Sequence, residues 1–555
     1  MSELETDVLV LGGGPAGIWA AVSAAAAGAR VVLADKAYCG ASGPTAFGVT
    51  SLWNIPPGRF RDEAVRRVYQ HGGELGDAAS MHRVLAETHA RIEQLARRGH
   101  RFPEGPGTSD PALRVYLDGA DYLRRLREDA LAAGVRILDH HPALQLMVDR
   151  DGAVAGAAGV QQRNRFRNWR VRAGAVVVAT GGCAFLSGGV GTEVDTGDGL
   201  LLAAEAGAEL SGMEFSSAYS LIAPPRAVAA AVQSGFATGT VLHFATFYDQ
   251  TGAALEGNRA AALAALADGR RVFAAFGEAP DHVRAWLAGH GVGDVRRKVA
   301  VRAVLEGTVR GTGGLKVMGK HCATTVPGLY GAGDVTTREQ ITGAAGGFGG
   351  EGGAWAMASG AWAGAGAAEF AHAADREAPV RMVPGAGLRA SSRIDPRAVV
   401  GLVQEHTLPL RRSYRRSASS LRDSIAELDS LWPGAQHGLG GSGADRLVAR
   451  QAAALLAVAR WTEYSALARV ESRGMHRRTD HPGVAEGWRL RVASGGLDSV
   501  WVRPDALVTA APSDSGKSDS GKVGVAVPAH LRSTGRKGKA HRSNSRRREF
   551  PLTSG

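Results

Sequence analysis

Apolar residues follow one another without interruption at residues 8–11, a pattern that predicts a buried strand of a parallel sheet. Three glycines come next, Gly12, Gly14 and Gly17, and they lead into an alanine-rich stretch that predicts a helix. A second apolar run, at residues 30–34, predicts another strand. The chain therefore opens with a strand, a tight turn, a helix and a second strand.

The following segments mix helical and strand-like patterns. Apolar residues at helical spacing predict helices around residues 63–98 and 119–133, and a meander of strands is expected around residues 135–172. The sequence AGAVVVATGG, from residue 173, is an apolar strand that runs into glycines. Shortly after it, TGDG begins another alanine-rich helix, in which Asp198 is placed to accept hydrogen bonds at the helix start.

The second half of the chain returns to the glycine-rich pattern. Residues 226–311 are looser in pattern, as expected of an inserted domain, whereas residues 326–360 repeat a strand, a loop and a glycine-led helix. Residues 408–432 and 444–474 carry apolar positions at helical spacing, which predicts a helical region before the end of the chain.

The charge of the chain is uneven. The formal net charge is +12, but residues 511–555 hold ten Lys or Arg against three acids, so the other residues are nearly balanced. This tail contains the repeat SDSGKSDSGK and few apolar residues, which predicts disorder. A basic arm of this kind either contacts RNA or an acidic surface, or is a solvated extension.

Cysteine content and hydropathy narrow the class of protein. The three cysteines, Cys39, Cys183 and Cys322, lie far apart in the sequence, so neither a disulfide framework nor a cysteine-ligated iron–sulfur cluster is expected in this chain. We assign no metal site. No apolar run is long enough for a membrane span, and we expect a cytoplasmic protein.

The glycine turn indicates a dinucleotide site. Gly12 permits the turn, Gly14 removes a side chain that would block a pyrophosphate, and Gly17 lets the helix pack against the strand. The helix amino terminus offers free N–H groups to the phosphates. Asp35 follows the second strand, where its carboxylate would accept hydrogen bonds from ribose hydroxyls.

Seven motifs, taken in order, resemble those of one flavoprotein family. They are GGGPAG, Asp35-Lys36, ATGG, TGDG, MEF at residues 213–215, GLYGAGD, and ESRGMHRRTDHP from Glu471. In order and approximate spacing they resemble the fumarate reductase and succinate dehydrogenase flavoprotein family, which includes L-aspartate oxidase and the alpha subunit of adenylylsulfate reductase. The resemblance covers residues 5 to about 490.

The resemblance implies FAD as the cofactor. The glycine turn would lie at the pyrophosphate, Asp35 at the adenosine ribose and Asp334 at the ribityl chain. A glycine-led helix from about Gly346 would direct its positive end at the isoalloxazine. The implied cofactor-binding residues are Gly12, Gly14, Pro15, Ala16, Gly17, Asp35, Lys36, Ser42, Thr180, Gly181, Gly182, Asp198, Gly333, Asp334, Glu351 and Gly352.

The fold class that follows is α/β, with a Rossmann-like FAD-binding domain interrupted by a capping domain. The expected parts are the first part of the FAD-binding domain at 1–225, a capping, substrate-binding domain at 226–311, the second part of the FAD-binding domain at 312–385, a helical C-terminal domain at 386–510, and the disordered basic tail at 511–555.

This chain departs from the family where the family binds dicarboxylates. Ser217 and Tyr219 replace a glutamine and a histidine, and the stretch GAAGGFGGEGG, from residue 343, lacks the arginine that clamps a second carboxylate. Succinate, fumarate and aspartate are therefore not expected as substrates. The stretch GASGPTAFG, from residue 40, has no histidine to carry the flavin, so non-covalent FAD is expected.

Two residues are candidates for catalysis. The family's capping domain supplies an arginine that shuttles a proton, and the stretch DVRRKVAVRAVLEG places Arg297 at that position. Arg296, Arg297 and Lys298 are also compatible with a solvated face. Tyr219 is either a phenol donor at the flavin or a packed aromatic residue.

The function implied is an FAD-dependent oxidoreductase that transfers a hydride between flavin N5 and a small molecule at the interface with the capping domain. Electrons would pass to a separate ferredoxin-like iron–sulfur protein or to oxygen. The alternative is a flavin-containing binding or sensor protein whose basic tail contacts nucleic acid. The first explains residues 5 to about 490 and the second only the tail, so nucleic acid is not expected as a partner.

Acid or heat is expected to release intact FAD from the purified yellow protein, because no histidine occupies the stretch where the flavin would be attached. Absorbance of the supernatant and of the denatured polypeptide after precipitation measures this. Flavin that remains with the polypeptide would contradict the expectation.

Overall fold

The computed structural model describes residues 2–103, 114–223, 241–257, 259–289, 292–346, 349–374 and 378–507. The tail predicted at residues 511–555 and the first fifteen residues of the predicted capping domain, 226–240, lie outside the described residues.

The strands of the described ranges, numbered along the chain, belong to four sheets. They are β1 (Ser2–Leu11), β2 (Val31–Ala34), β3 (Val49–Trp53), β4 (Arg114–Asp118), β5 (Arg136–Leu138), β6 (Ala143–Val148), β7 (Val154–Gln161), β8 (Arg167–Val178), β9 (Leu210–Ser211), β10 (Tyr219–Ile222), β11 (Thr246–Tyr248), β12 (Val272–Ala275), β13 (Val299–Leu305), β14 (Gly314–Leu315), β15 (Leu329–Gly331), β16 (Arg381–Met382), β17 (Leu490–Gly495) and β18 (Trp501–Leu507).

The helices are numbered in the same way. They are α1 (Pro15–Ala26), α2 (Arg59–His71), α3 (Ala78–Arg97), α4 (Gly119–Ala132), α5 (Asp198–Glu205), α6 (Arg259–Ala267), α7 (Asp281–Gly289), α8 (Gly307–Arg310), α9 (Glu339–Thr342), α10 (Glu351–Ala373), α11 (Pro396–Thr407), α12 (Leu410–Ser413), α13 (Ala418–Gly438) and α14 (Gly443–Ala468).

The largest sheet holds the strands predicted from the apolar runs. Its order is β16-β6-β7-β8-β1-β2-β5, and β15 also pairs with β8. The strands β5, β2, β1, β8 and β15 are parallel neighbours, whereas β6, β7 and β16 extend the sheet as antiparallel strands. The central parts of the parallel strands, residues 8–11, 31–34, 173–178 and 329–331, are buried, as expected when helices cover the sheet, whereas β5 at the sheet edge has no buried residue. The predicted α/β class is therefore confirmed.

Helices α1 and α10 cross at unusually short distance. A Cβ atom at Gly360 would collide with the carbonyl oxygen of Ala16, and one at Gly364 would collide with that of Ala20. Only hydrogen fits at these two positions of α10. The two backbones are therefore in direct contact, and both helices begin at the same cavity.

The capping region forms a small antiparallel sheet. Its order is β10-β13-β12-β11, and α6 and α7 belong to the same part of the chain. Because β10 pairs with β13 from Tyr219↔Leu305 onward, this sheet includes residues placed by the sequence in the first part of the FAD-binding domain.

The C-terminal region is helical over α11, α12, α13 and α14, as predicted. It is not helical throughout, because β17 and β18 form a sheet with β9 and β14. Strand β17 pairs with β9 at Ala493↔Ser211, so the end of the described chain is joined to its middle.

A buried ion network reinforces that junction. The Arg469 side chain is fully buried and donates to Glu214 Oε1 at 2.8 Å and to Glu471 Oε1 at 2.9 Å. Arg473 also donates to Glu471, at 2.8 Å, and its Nη1 reaches the Gly73 carbonyl at 2.5 Å. Buried charges of this kind require their partners. The network therefore fixes the segment after Arg473 against the body of the protein.

Replacing Gly364 with Ala is expected to destabilise the protein by about 1 to 3 kcal/mol, because a methyl group at that position requires α1 and α10 to separate. The matched control is Gly401→Ala in α11, where a Cβ meets no atom within 4 Å. The control is expected to raise stability by up to about 1 kcal/mol through helix propensity. Thermal unfolding of both variants measures the difference, and equal midpoints would contradict the close contact.

Candidate functional site

One large cavity, with a volume of about 940 Å³, lies between the main sheet and the capping sheet. At one end it is lined by the glycine turn and by the residues that follow β2 and β8. At the other end it is lined by β10, by the start of α6 and by the segment after Arg473. A volume of this size is typical of a pocket for a large ligand.

The glycine turn lies in the cavity wall as predicted. Gly12 has φ +108° and contacts the backbone of Ala179, so any side chain would be blocked there. A Cβ atom at Gly14 would meet nothing within 4 Å, because this residue faces open space. Pro15 and Ala16, in the first turn of α1, also line the cavity. Gly17 does not; it packs against the Gly12 carbonyl.

Asp35 is buried directly behind the glycine turn. Its side chain accepts hydrogen bonds from the backbone N–H of Gly13 and, at 2.6 Å, from that of Ala37. Burial raises the pKa of this carboxyl group. Asp35 also lines the cavity, and its role at a ribose stays a prediction. The hydrogen bond from Gly13 gives it a second role, because the carboxylate fixes the backbone of the glycine turn.

Lys36, which follows Asp35, forms an ion pair across the cavity wall. Its Nζ donates to Asp198 Oδ2 at 2.5 Å and to Thr196 Oγ1 at 2.8 Å. Asp198 is the first residue of α5, and its Oδ1 is buried without a hydrogen-bond partner among the described residues. Lys36, Asp198 and Ser42 all line the cavity.

The glycines after β8 divide into two environments. Thr180 and Gly181 line the cavity, and Thr180 Oγ1 is buried without a partner in the described ranges. Gly182 does not line the cavity, because it packs against Thr308 and Val309. The predicted contact of Gly182 with the cofactor is therefore not supported by its position.

Asp334 follows β15 and lines the cavity beside Gly333. Its carboxylate is paired with the guanidinium of Arg338, which is only 1% exposed. Burial raises the pKa of Asp334, and the charge of Arg338 opposes that shift. Sequence analysis did not predict Arg338.

Helix α10 begins at Glu351 rather than near Gly346. Glu351 Oε2 accepts a hydrogen bond from the Gly349 backbone at 2.6 Å, which stabilises the turn before the helix. Glu351 and Gly352 line the cavity, so the positive end of α10 points into it as predicted.

These features fit a bound dinucleotide. A turn of small residues and two helix amino termini meet in a single cavity. Three buried side-chain oxygens in its wall, on Thr180, Asp195 and Asp198, have no hydrogen-bond partner among the described residues. Such atoms are stabilised when a polar ligand contacts them.

Tyr219 lies in the cavity wall, on β10. Its hydroxyl donates to the Leu408 carbonyl at 3.1 Å, and its ring packs edge-on against Tyr414 with centroids 6.1 Å apart. Burial raises its pKa. Of the two alternatives for Tyr219, these contacts match a packed aromatic residue, because the hydroxyl already has an acceptor in the protein.

Arg297 is not in the cavity. It is exposed and lies just before β13, in a stretch where Arg296 and Lys298 are exposed as well. The neighbouring Lys298 donates to the Gly252 carbonyl at 3.0 Å. The predicted catalytic role of Arg297 is therefore corrected: its position matches the alternative, a solvated surface.

A different arginine occupies the cavity. Arg259, the first residue of α6, is half-buried and its Nη2 donates to the Tyr219 carbonyl. Arg114 and His243 line the exposed rim, and desolvation and the charges of the two arginines lower the pKa of His243. Sequence analysis missed Arg259. The available signal was an arginine that precedes an alanine-rich helical run.

The described residues contain no group of three or more His, Cys, Asp or Glu able to hold a metal ion. In the same ranges, no helix combines the length and the apolar character needed to cross a membrane.

Residues 7–242 match a family described as an FAD binding domain, and residues 414–503 match a family described as the fumarate reductase flavoprotein C-terminus. L-aspartate oxidase of Streptomyces coelicolor is 28% identical over 235 residues, which cover 38% of this chain and 39% of that protein. L-aspartate oxidase of Mycobacterium leprae is 32% identical over 230 residues, which cover 38% of this chain and 42% of that protein. The chain thus matches less than half the length of either relative.

Solved structures share the fold over most of the chain. E. coli quinol fumarate reductase aligns with a TM-score of 0.73 and 20% identity, covering 93% of this chain and 99% of that one. Adenylylsulfate reductase from Archaeoglobus fulgidus aligns with a TM-score of 0.71 and 17% identity, covering 92% and 97%.

Replacing Asp35 with Ala is expected to weaken FAD binding by about 1 to 3 kcal/mol, because two backbone N–H groups of the cavity wall lose their acceptor. Fluorescence titration of the apoprotein with FAD measures the affinity. Asp151→Ala, an exposed carboxylate in a turn, is the control and should bind FAD like the parent. Unchanged affinity in Asp35→Ala would exclude Asp35 from the cofactor site.

Proposed function

Because this chain belongs to the fumarate reductase and succinate dehydrogenase flavoprotein family, we propose that it is an FAD-dependent oxidoreductase acting on a small anionic molecule. The observation that carries the proposal is Arg259, a half-buried arginine at the capping end of the cavity, grouped with Arg114 and His243. FAD is the cofactor, and it supplies the transfer of a hydride to or from the substrate.

The cofactor would occupy the end of the cavity that contains the glycine turn. The residues proposed to hold it are those that line this end, namely Gly12, Gly14, Pro15, Ala16, Asp35, Lys36, Ser42, Thr180, Gly181, Asp198, Gly333, Asp334, Glu351 and Gly352. Gly17 would act through the packing of α1.

The capping end of the cavity is suited to an anion. The cationic or titratable groups that line it include Arg114, His243, Arg259, Arg310 and Arg477, and the carboxylate of Glu306 also lines it. A guanidinium binds a carboxylate or a phosphate through two parallel hydrogen bonds when it is oriented and shielded. Arg259 meets both conditions, since it is half-buried and its Nη2 is fixed by the Tyr219 carbonyl.

Arg259 is also the proposed proton donor. Burial lowers the pKa of its guanidinium, which makes release of a proton easier than from an exposed arginine. A substrate bound against Arg259 would receive this proton directly. The role that the resemblance gave to Arg297 is thus proposed for Arg259.

The substrate is proposed to be an anion other than a C4-dicarboxylate. Residues 349–353, at the start of α10, bring Glu351 but no arginine to the cavity wall, so a second carboxylate would have no bidentate partner there. Relatives of this chain are named L-aspartate oxidase. At Ser217 and Tyr219 this chain lacks the glutamine and the histidine with which the family binds dicarboxylates.

For the electrons, we propose a separate ferredoxin-like iron–sulfur protein or oxygen as the exchange partner. The three cysteines, Cys39, Cys183 and Cys322, are each buried and dispersed, so this chain does not offer cluster ligands among them.

Arg259→Lys is expected to lower turnover by about 100-fold or more, because lysine keeps the charge but misplaces the donors. Reduced holoenzyme is mixed with a panel of small carboxylic and phosphorylated acids, and the rate of flavin reoxidation identifies the substrate and then compares variants. FAD affinity should barely change.

Arg297→Lys and Arg302→Lys are the matched controls, since both side chains are exposed and outside the cavity. They should turn over like the parent. Equal rates for Arg259→Lys and the parent would overturn the proposed role, and a loss in Arg297→Lys alone would return that role to Arg297.

A further inference from the structure

The wall of the cofactor cavity holds more carboxyl groups than cations to pair with them. Asp195, Asp198 and Asp334 all line it, together with Lys36. Lys36 is paired with Asp198 at 2.5 Å, and Arg338 is paired with Asp334. Asp35 and Glu351 also line the cavity, and each accepts a hydrogen bond from a backbone N–H group. Asp195 differs from these carboxyl groups, because no described cation forms an ion pair with it and its Oδ2 has no hydrogen-bond partner among the described residues.

Asp195 is fixed in this position by its backbone. Its N–H donates to the Thr192 carbonyl at 3.0 Å, and its carbonyl accepts from Ala184 N at 2.9 Å. The residue is 3% exposed, and Oδ2 has no hydrogen-bond partner among the described residues. Oδ1 lies against Gly181, in the turn where Thr180 and Gly181 face the cavity. The carboxyl group is therefore buried in the wall of the cofactor site, and one of its oxygens has no hydrogen-bond partner among the described residues.

An ionised carboxylate in this place would be strongly disfavoured. Burial without a cation removes its hydration, and the surrounding carboxylates repel a further negative charge. Both effects raise the pKa of Asp195, burial first and Asp334 second. The titratable and charged groups that face it are Asp334, Asp198 and Glu193, which oppose ionisation, Lys36, which favours it, and the buried thiol of Cys183.

The cofactor increases this preference. FAD carries a pyrophosphate, and its ribityl and ribose hydroxyls and phosphate oxygens are hydrogen-bond acceptors. A carboxyl group that keeps its proton can donate to any of these oxygens. A carboxylate can accept hydrogen bonds from the hydroxyls but is repelled by the phosphate oxygens. A buried donor without a partner in the protein is stabilised when the ligand supplies the acceptor.

We propose that Asp195 carries a proton at neutral pH and donates a hydrogen bond from its carboxyl group to an acceptor oxygen of FAD. Asp195 is thus a cofactor-binding residue that works as a neutral acid. It lies directly before the TGDG motif, and the sequence analysis assigned no role to it. The contacts of the neighbouring carboxyl groups support this assignment. Asp198 and Asp334 are each paired with a cation, and Asp35 and Glu351 accept hydrogen bonds from backbone N–H groups.

The pH dependence of FAD affinity follows from this assignment. The protonated form of Asp195 binds, so its pKa is higher in the complex than in the apoprotein. The affinity is full below the pKa of the apoprotein and falls as the pH rises from that pKa to the pKa in the complex. For a single proton the dissociation constant increases by up to about 10-fold per pH unit in that range. An ionised Asp195 that accepted hydrogen bonds would give the opposite trend.

The test uses the full-length apoprotein and FAD, with the dissociation constant measured by flavin fluorescence between about pH 6 and about pH 10, where model carboxyl groups no longer titrate. Asp195→Asn keeps a donor that cannot ionise. It should bind FAD within a few-fold of the parent at the low end and lose the decline at the high end. Asp195→Ala should bind about 10- to 100-fold more weakly at the low end, because the donor is lost.

Glu193→Gln is the matched control, an exposed carboxylate two residues away. It should keep the decline of the parent, displaced to slightly lower pH because the repulsion by Glu193 is lost. Weaker binding by Asp195→Asn at every pH, together with a flat profile for the parent, would overturn the proposal.

A second measurement does not depend on how well the variants fold. The infrared difference spectrum of the parent, FAD-bound minus apo and at neutral pH, should contain the C=O band of a protonated carboxyl group. That band should be absent from Asp195→Asn and present in Glu193→Gln. A parent spectrum without such a band would contradict a protonated Asp195.

Discussion

The contact between α1 and α10 is the constraint on which the rest of the site depends. At Gly360 and Gly364 only hydrogen separates the two backbones, so the helices are packed as closely as backbones allow and a side chain at either position would force them apart. Each helix starts at the cavity, one at Pro15 and one at Glu351. Their amino termini are therefore held at a fixed separation, and a ligand with acceptor groups spaced to match meets both at once.

Sequence alone predicted the parts of this arrangement that local chemistry determines. Buried parallel strands are continuous apolar runs in the sequence. Only glycine tolerates the backbone contact and the positive φ at Gly12. The strand, the turn and the helix can therefore be predicted from residues 8–27. The same holds for Asp35, which follows its strand directly. These signals lie within a few residues of one another, and the structure brings them together at the cavity.

The substrate end could not be predicted in this way, because which arginine faces the cavity depends on the course of the chain. Arg297 matches a family pattern in sequence, but it precedes a strand and points into solvent. Arg259 has a weaker pattern, yet α6 begins where β10 passes the cavity. Asp195 could not be predicted for the same reason. Its proposed role depends on Lys36 being paired with Asp198 and Arg338 with Asp334, and these pairings cannot be inferred from the spacing of residues in the sequence.

The ion network around Arg469 also determines at which stage of synthesis the cavity wall can be completed. It holds the segment with Gly474, Met475 and Arg477 in the cavity wall, whereas the glycine turn of the same cavity lies near residue 12. A nascent chain emerges from its amino terminus, and domains generally fold as they appear. Here the cavity wall is incomplete until the segment around Arg477 has been synthesised, so stable capture of the flavin has to wait for that segment.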